Sequence, residues 1–313
     1  MTRGPAGVLN PAPPRKTRAA AISIASNATL IVLKLVAGAI TGSIAVITEA
    51  IHSGIDLMAS MVAYFSVRKA DEPPDESHPY GHEKVENVAA GIEGLLILVG
   101  AGIIIFEAVR RLVDQAEVEK LGVGIAVIGF SVVANLIVSA FLRHQAHRHE
   151  SPALAGDAAH LGTDALTSAG VLAGLVLVEV TGINAIDSAV ALVVAVAIVY
   201  SGVSIMRRST GALVDEAPPP EEMDRIEQAI ARARPKEMVG YHKLRARITG
   251  RRRYIELHVQ FRSGTSLEHA HALAHELRDA IEAELRDAEV LIHVEPETSR
   301  HDPAEMPKPY RAG

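Results

Sequence analysis

The chain has 313 residues, of which 49% are hydrophobic, 4% aromatic and 22% charged, with a mean hydropathy of +0.20. The absence of cysteine excludes disulfides, thiolate nucleophiles, Cys-ligated zinc and iron–sulfur clusters. A formal charge of -6 argues against a nucleic-acid partner, which needs a sustained basic surface. Any bound metal must be held by nitrogen and oxygen, and 14 histidines supply candidates.

Residues 1–18 read as a polar N-terminal tail without the apolar core of a cleavable signal, so the first apolar stretch is expected to be retained. Six stretches follow: Ala19–Ile40, Ile44–Val67, Val88–Val109, Leu121–Leu142, about Pro152–Val180 and Ala185–Met206. At about 1.5 Å per helical residue each is long enough for a hydrocarbon core of about 30 Å. Residues 19–208 are therefore expected to form a six-helix transmembrane domain. Arg3, Arg15, Lys16, Arg18, Arg68, Lys69, Lys84, Arg143, Arg148, Arg207 and Arg208 flank the spans on one side, against Arg110, Arg111 and Lys120 on the other. By the positive-inside rule both termini are expected to be cytoplasmic; a multi-pass protein of the inner or plasma membrane is the expected localisation. The short links at Thr41-Gly42-Ser43 and Thr181-Gly182-Ile183-Asn184 require antiparallel neighbours.

Ionisable groups inside a bilayer cost at least about 2.5 kcal/mol each on insertion scales, so each needs a reason. The second span holds His52 and Asp56, the fifth His160 and Asp164. A four-residue step stacks the two side chains on one helix face. Two such faces turned together offer two imidazoles and two carboxylates, a tetrahedral nitrogen/oxygen set suited to Zn²⁺. Interhelical His–Asp pairing is the alternative, and the repetition in two spans favours metal. Asn27, Glu49, Glu93, Glu107, Asp157 and Asp187 are further polar positions that spacing alone leaves unassigned, as does the run His144, His147, His149. Lys34 reads as a side chain snorkelling to the outer interface.

After Arg208 the composition becomes that of a soluble domain, expected over residues 209–297, with 298–313 as a C-terminal tail. Met223, Ile226 and Ile230 fall at helical spacing in Glu221–Arg234. Tyr254–Phe261 alternates strictly, which predicts a half-buried strand, and Thr249-Gly250-Arg251 predicts the turn from a preceding strand at about Val239–Ile248. A helix from about Ser266 to Arg286 and a strand at about Glu289–Val294 complete an α-β-β-α-β order.

Together these features resemble the cation diffusion facilitator family of proton-coupled divalent-metal exporters. The likeness covers nearly the whole chain after residue 18. It is carried by Gly42-Ser43-Ile44-Ala45 ahead of Glu49-Ala50-Ile51-His52-Ser53-Gly54-Ile55-Asp56, by Asp157-Ala158-Ala159-His160 running to Asp164, and by His78-Pro79-Tyr80-Gly81-His82-Glu83-Lys84-Val85-Glu86. Glu49 stands where many relatives have Asp. The resemblance implies that His52, Asp56, His160 and Asp164 form the transport site. It implies a second, loop site at Asp75, His78 and His82. It implies a third at His242, His258, His271, His293 and Glu295 in a metallochaperone-like cytoplasmic domain that serves as a homodimer interface.

The implied activity is efflux of Zn²⁺ from the cytoplasm against protons by alternating access, with Zn²⁺ also a regulatory ligand. Mn²⁺, Fe²⁺, Co²⁺ or Cd²⁺ as the main substrate, and a membrane metal sensor without flux, are the competing readings. An intramembrane zinc protease is disfavoured, because Ser53 and Leu161, not glutamate, follow the two membrane histidines.

Overall fold

The computed structural model describes residues 15–41, 44–114, 124–181, 183, 185–285 and 287–298. Its contacts divide the chain into two compact units, Met1–Leu213 and Val214–Gly313.

The first unit is made of six long helices: α1 (Arg15–Thr41), α2 (Ile44–Ala70), α3 (Lys84–Asp114), α4 (Gly124–His149), α5 (Pro152–Thr181) and α6 (Ala185–Leu213). Among the described residues four of them, over Lys16–Ala37, Lys84–Arg110, Pro152–Val178 and Ser188–Leu213, are long and apolar enough to cross a membrane. The unit is turned inside out relative to a water-soluble bundle. Phe106, Val193 and Tyr200 are exposed, whereas Ser23, Asn27, Glu93 and Asp157 are buried. That distribution suits a hydrocarbon solvent, in which polar side chains turn to the bundle interior.

The helices outrun the apolar stretches at their polar ends. α4 continues past Leu142 to His149, so Arg143, His144 and His147 sit on exposed helical turns and not in a loop. Hydropathy marks where the apolar residues stop, whereas helical hydrogen bonding continues through polar ones. The predicted start of the fourth span at Leu121, and the link residues Gly42, Ser43, Gly182 and Asn184, lie outside the described residues. At the other end of the chain's first helix, Lys16 is buried, paired with Asp71 at 3.1 Å and with Glu86, which also accepts from Ser151. One buried cation thus ties α1, α2 and α3, and through Ser151 the start of α5.

The most extensive helix contacts join α3 to α6, α4 to α5 and α1 to α2. The α3–α6 approach rests on small residues, the usual basis of close helix packing in lipid. A Cβ on Gly94 would lie 3.2 Å from the Met206 amide nitrogen and 3.3 Å from the Gly202 carbonyl oxygen. Both are backbone atoms and neither can swing away. Gly94→Leu is expected to destabilise the purified protein by about 1–3 kcal/mol through overpacking. Gly102→Leu, where a Cβ meets nothing within 4 Å, is the control. Thermal unfolding in detergent checks the pair, and equal melting temperatures would refute the packing argument.

The second unit has α7 (Pro220–Ala233), β1 (Met238–Thr249), β2 (Arg252–Phe261), α8 (Leu267–Glu284) and β3 (Ala288–Pro296). This is the α-β-β-α-β order the sequence predicts. β1 and β2 pair antiparallel through a turn at Gly250, whose φ of 55° is the left-handed conformation that glycine adopts without steric cost. β3 adds to the other edge of β2 in parallel, giving the order β1-β2-β3. A parallel neighbour needs a crossover, which α8 supplies. Ser266 caps α8 by accepting from the His269 amide at 3.2 Å, and Pro220 opens α7, where its missing N–H costs nothing. Ile255, Leu257, Val259 and Phe261 of β2 pack with Ile226 and Ile230 of α7 and Leu277 and Ile281 of α8 into one buried core. Both helices therefore cover one face of the sheet. The other face carries the alternate residues, His258 among them.

Candidate metal sites

The first cluster lies between α2 and α5. Asp56 and His160 are 4% and 5% exposed, and His160 Nε2 stands 3.3 Å from Asp56 Oδ1 and 3.8 Å from Asp164 Oδ2. Ligand atoms of these residues all lie within 4.8 Å of one another. A tetrahedral ion with bonds of about 2.0–2.2 Å has ligand–ligand edges of about 3.3–3.6 Å, so these separations fit such an ion with little adjustment. The helical step of four residues brings Asp164 under His160, and the α2–α5 contact brings Asp56 across. His52 is in α2, one turn before Asp56, and its side chain lies outside the described residues, as does that of Glu49.

The surroundings of the cluster are fixed by hydrogen bonds between helices. The Asn27 amide of α1 donates to Ser60 Oγ at 2.8 Å and to the Asp56 carbonyl at 3.5 Å. Ser60 donates to Asp157 Oδ1 at 3.0 Å and lies 2.9 Å from Ser23 Oγ. Asn27 thus makes an interhelical bond that holds α2 against α1. Lys34 is buried, not snorkelling: its ammonium donates to Ser53 Oγ at 2.8 Å, beside His52 in the chain. The sequence shows a lysine inside an apolar span but not the hydroxyl that the facing helix offers it.

The second cluster is in the α2–α3 connection. His78 Nδ1 is 3.3 Å from Asp75 Oδ1 and His82 Nε2 is 3.3 Å from Asp75 Oδ2, with the two rings 4.6 Å apart. Asp75 also accepts from the backbone N–H groups of His78 at 2.7 Å and Ser77 at 2.9 Å. Those bonds, His78 first, hold its carboxyl below the ordinary range and keep it anionic, as a ligand must be. Gly81, at φ 94°, turns the chain so that His82 returns buried to the same carboxylate.

The third cluster is on the open face of the sheet. The strand register sets His242 opposite His258 and His258 opposite His293, a row across all three strands. Glu295 reaches this row: its oxygens lie 2.7 Å from His258 Nδ1, 3.5 Å from His242 Nε2 and 3.7 Å from His293 Nε2. His242, His258 and Glu295 converge tightly enough for one ion, with exposed His293 at the side. The row depends on a bulge. Between the pairs His242–His258 and Arg245–Glu256, β1 spends three steps where β2 spends two, and Lys243 takes a φ of 51°. The extra residue lets His242 and Arg245, an odd number of positions apart, share one face.

His271 is not among the residues brought together there. It is on α8, which covers the core face of the sheet, and its exposed ring meets that of His275 with Nε2 atoms 3.0 Å apart. The sequence supplies the histidine, but the side of the sheet on which a helix packs is a tertiary matter. The His271–His275 pair is legible only as a four-residue step on a polar helix face.

The sequence model of the cation efflux transmembrane domain matches residues 20–214, and that of the cation efflux protein cytoplasmic domain matches residues 218–297. The chain belongs to the cation diffusion facilitator family, whose members are cation-efflux transporters, and it is a multi-pass membrane protein. It is 32% identical over 279 residues to an uncharacterized transporter of Synechocystis sp., covering 88% of this chain and 89% of that one. It is 31% identical over 289 residues to the cation-efflux pump FieF of Yersinia pestis, covering 92% and 95%. Among solved structures, the zinc form of CzrB is 35% identical over a match covering 28% of this chain and 99% of that one, with a TM-score of 0.26.

Proposed function

We propose that the protein exports Zn²⁺ from the cytoplasm in exchange for protons, through six spans in residues 19–208, with both termini cytoplasmic and the inner or plasma membrane as its site. The carrying observation is the convergence of Asp56, His160 and Asp164 at tetrahedral spacing inside the apolar unit. His52, one helical turn before Asp56, is assigned as the fourth ligand. Two imidazoles and two carboxylates balance a dication's charge and favour zinc over the harder Mn²⁺ and Fe²⁺. Metal loading needs neutral imidazoles and ionised carboxylates, so the same four groups that hold the cation hold protons in its place. Alternating access to the two sides then makes each release of Zn²⁺ a capture of protons.

The loop cluster and the histidine row are assigned as secondary zinc sites. The soluble unit, residues 209–297, is assigned as the regulatory part of a homodimer, with zinc favouring the tightened state. Proteoliposomes with an imposed pH gradient and competing Zn²⁺, Cd²⁺, Mn²⁺, Fe²⁺ and Co²⁺ test the reading. Zinc is expected to be taken up first and to collapse the gradient as it moves. A preference for Mn²⁺ or Fe²⁺, or flux with no proton counterflow, would refute it.

A further inference from the structure

A second set of carboxylates lies close to the transport cluster. Glu93 of α3 and Asp157 of α5 are both 0% exposed. The Glu93 carboxyl rests directly on Gly156, the neighbour of Asp157: a Cβ there would lie 2.1 Å from Glu93 Oε2. Glycine at 156 is what admits the acid. Among the described residues neither oxygen of Glu93 has a hydrogen-bond partner, and neither does Asp157 Oδ2. Asp157 Oδ1 is served by Ser60, which is in turn held by Asn27 and Ser23.

Among the described residues the two buried lysines are engaged elsewhere, Lys16 with Asp71 and Glu86 and Lys34 with Ser53. Two ionised carboxylates, acceptors only, are strongly unfavourable in so dry a place. One proton resolves this, since it neutralises one acid and leaves a single charge. Among the described residues the packed elements present the following groups, with α4 adding the Ser139 hydroxyl, which donates to the Ala158 carbonyl at 2.6 Å. α5 presents Asp157 with His160 behind it, α2 presents Ser60 with Asp56 a turn away, and α1 presents Ser23 and Asn27. α6 presents Gly202, Ile205 and Met206 to this stretch of α3.

We propose that Glu93 and Asp157 form a proton-binding pair that holds one proton in the cation-free protein and gives it up when a dication enters the Asp56–His160–Asp164 cluster. The release step rests on the transport reading above. Asp157 precedes His160 by three residues, about 4.5 Å along the helix, so a dication at His160 favours the ionised form of the pair. The coupling is reciprocal: the proton on the pair weakens cation binding, and its loss strengthens it. In the step one carboxyl O–H bond breaks, the proton leaves to water on the side to which the cluster is open, and no electron is transferred.

Infrared difference spectroscopy of the full chain in detergent tests the pair. Cation-free protein is expected to show a protonated-carboxyl carbonyl band that Glu93→Gln removes and zinc addition bleaches. Glutamine has the same shape and holds no titratable proton, so the variant is expected to keep its melting temperature; Asp157→Asn is the second variant and should remove or shift the same band. Calorimetry in buffers of different ionisation enthalpy should give about one more proton released per zinc in the wild type than in Glu93→Gln. A missing band in cation-free protein, a band untouched by both variants, or equal proton release overturns the proposal. The metal-free arm speaks to the pair alone, whereas failure of zinc to bind at all refutes the transport reading.

Discussion

Alanine at Asp56 or at Asp164 is expected to lower zinc flux in proteoliposomes by at least about 100-fold, more than is typical for loss of an outer-shell partner of a bound metal. Each substitution removes one of the carboxylates that stand 3.3 and 3.8 Å from His160 Nε2. Removing one partner of a buried charged pair also destabilises the fold, so the isosteric amides separate loss of a ligand from loss of structure. Asp56→Asn and Asp164→Asn keep the side-chain volume, so their melting temperatures should stay within a few degrees of the wild type while zinc binding falls. Wild-type flux in either alanine variant would remove that residue from the transport site.

The second large effect is expected in the soluble unit and should leave basal transport standing. Glu295 is the acid that reaches all three histidines of the row, so Glu295→Ala leaves His242 and His258 without the anion that joins them. Zinc bound per chain at the weaker sites, measured by equilibrium dialysis of the full protein, should drop with an affinity loss above about 100-fold, since a ligand itself is removed. His258→Ala should match it, and His271→Ala should have a smaller effect, because His271 is paired with His275 on the helix side of the sheet. If Glu295→Ala abolishes transport while its zinc content holds, the regulatory assignment fails.

Much of this was legible in the sequence because the environments differ sharply in polarity. His52, Asp56, His160 and Asp164 stand out from apolar stretches, and the step of four within each pair fixes a common helix face before any tertiary contact is known. The strict alternation of Tyr254–Phe261 likewise announces a strand with one wet face. What was not legible depends on which elements meet. Nothing local tells that β3 lies parallel to β2 and brings His293 level with His258, or that α8 carries His271 to the other side. Lys34 and Glu93 show the same limit from the other direction. Each is an isolated charge in an apolar run, and only the facing helix reveals that one meets a hydroxyl and the other a bare glycine.

The one-residue irregularity at Lys243 means that the face on which His242 falls is set by a count of residues as much as by residue type. Were β1 to pair regularly through Lys243, with every residue kept and no bulge, Lys243 would take the place beside His258 and His242 would fall opposite Val259, turned into the oily side. A frame error of this kind would leave every ligand-type residue present in the chain and still disassemble the row, so composition alone would be a poor guide to which homologous sheets can chelate.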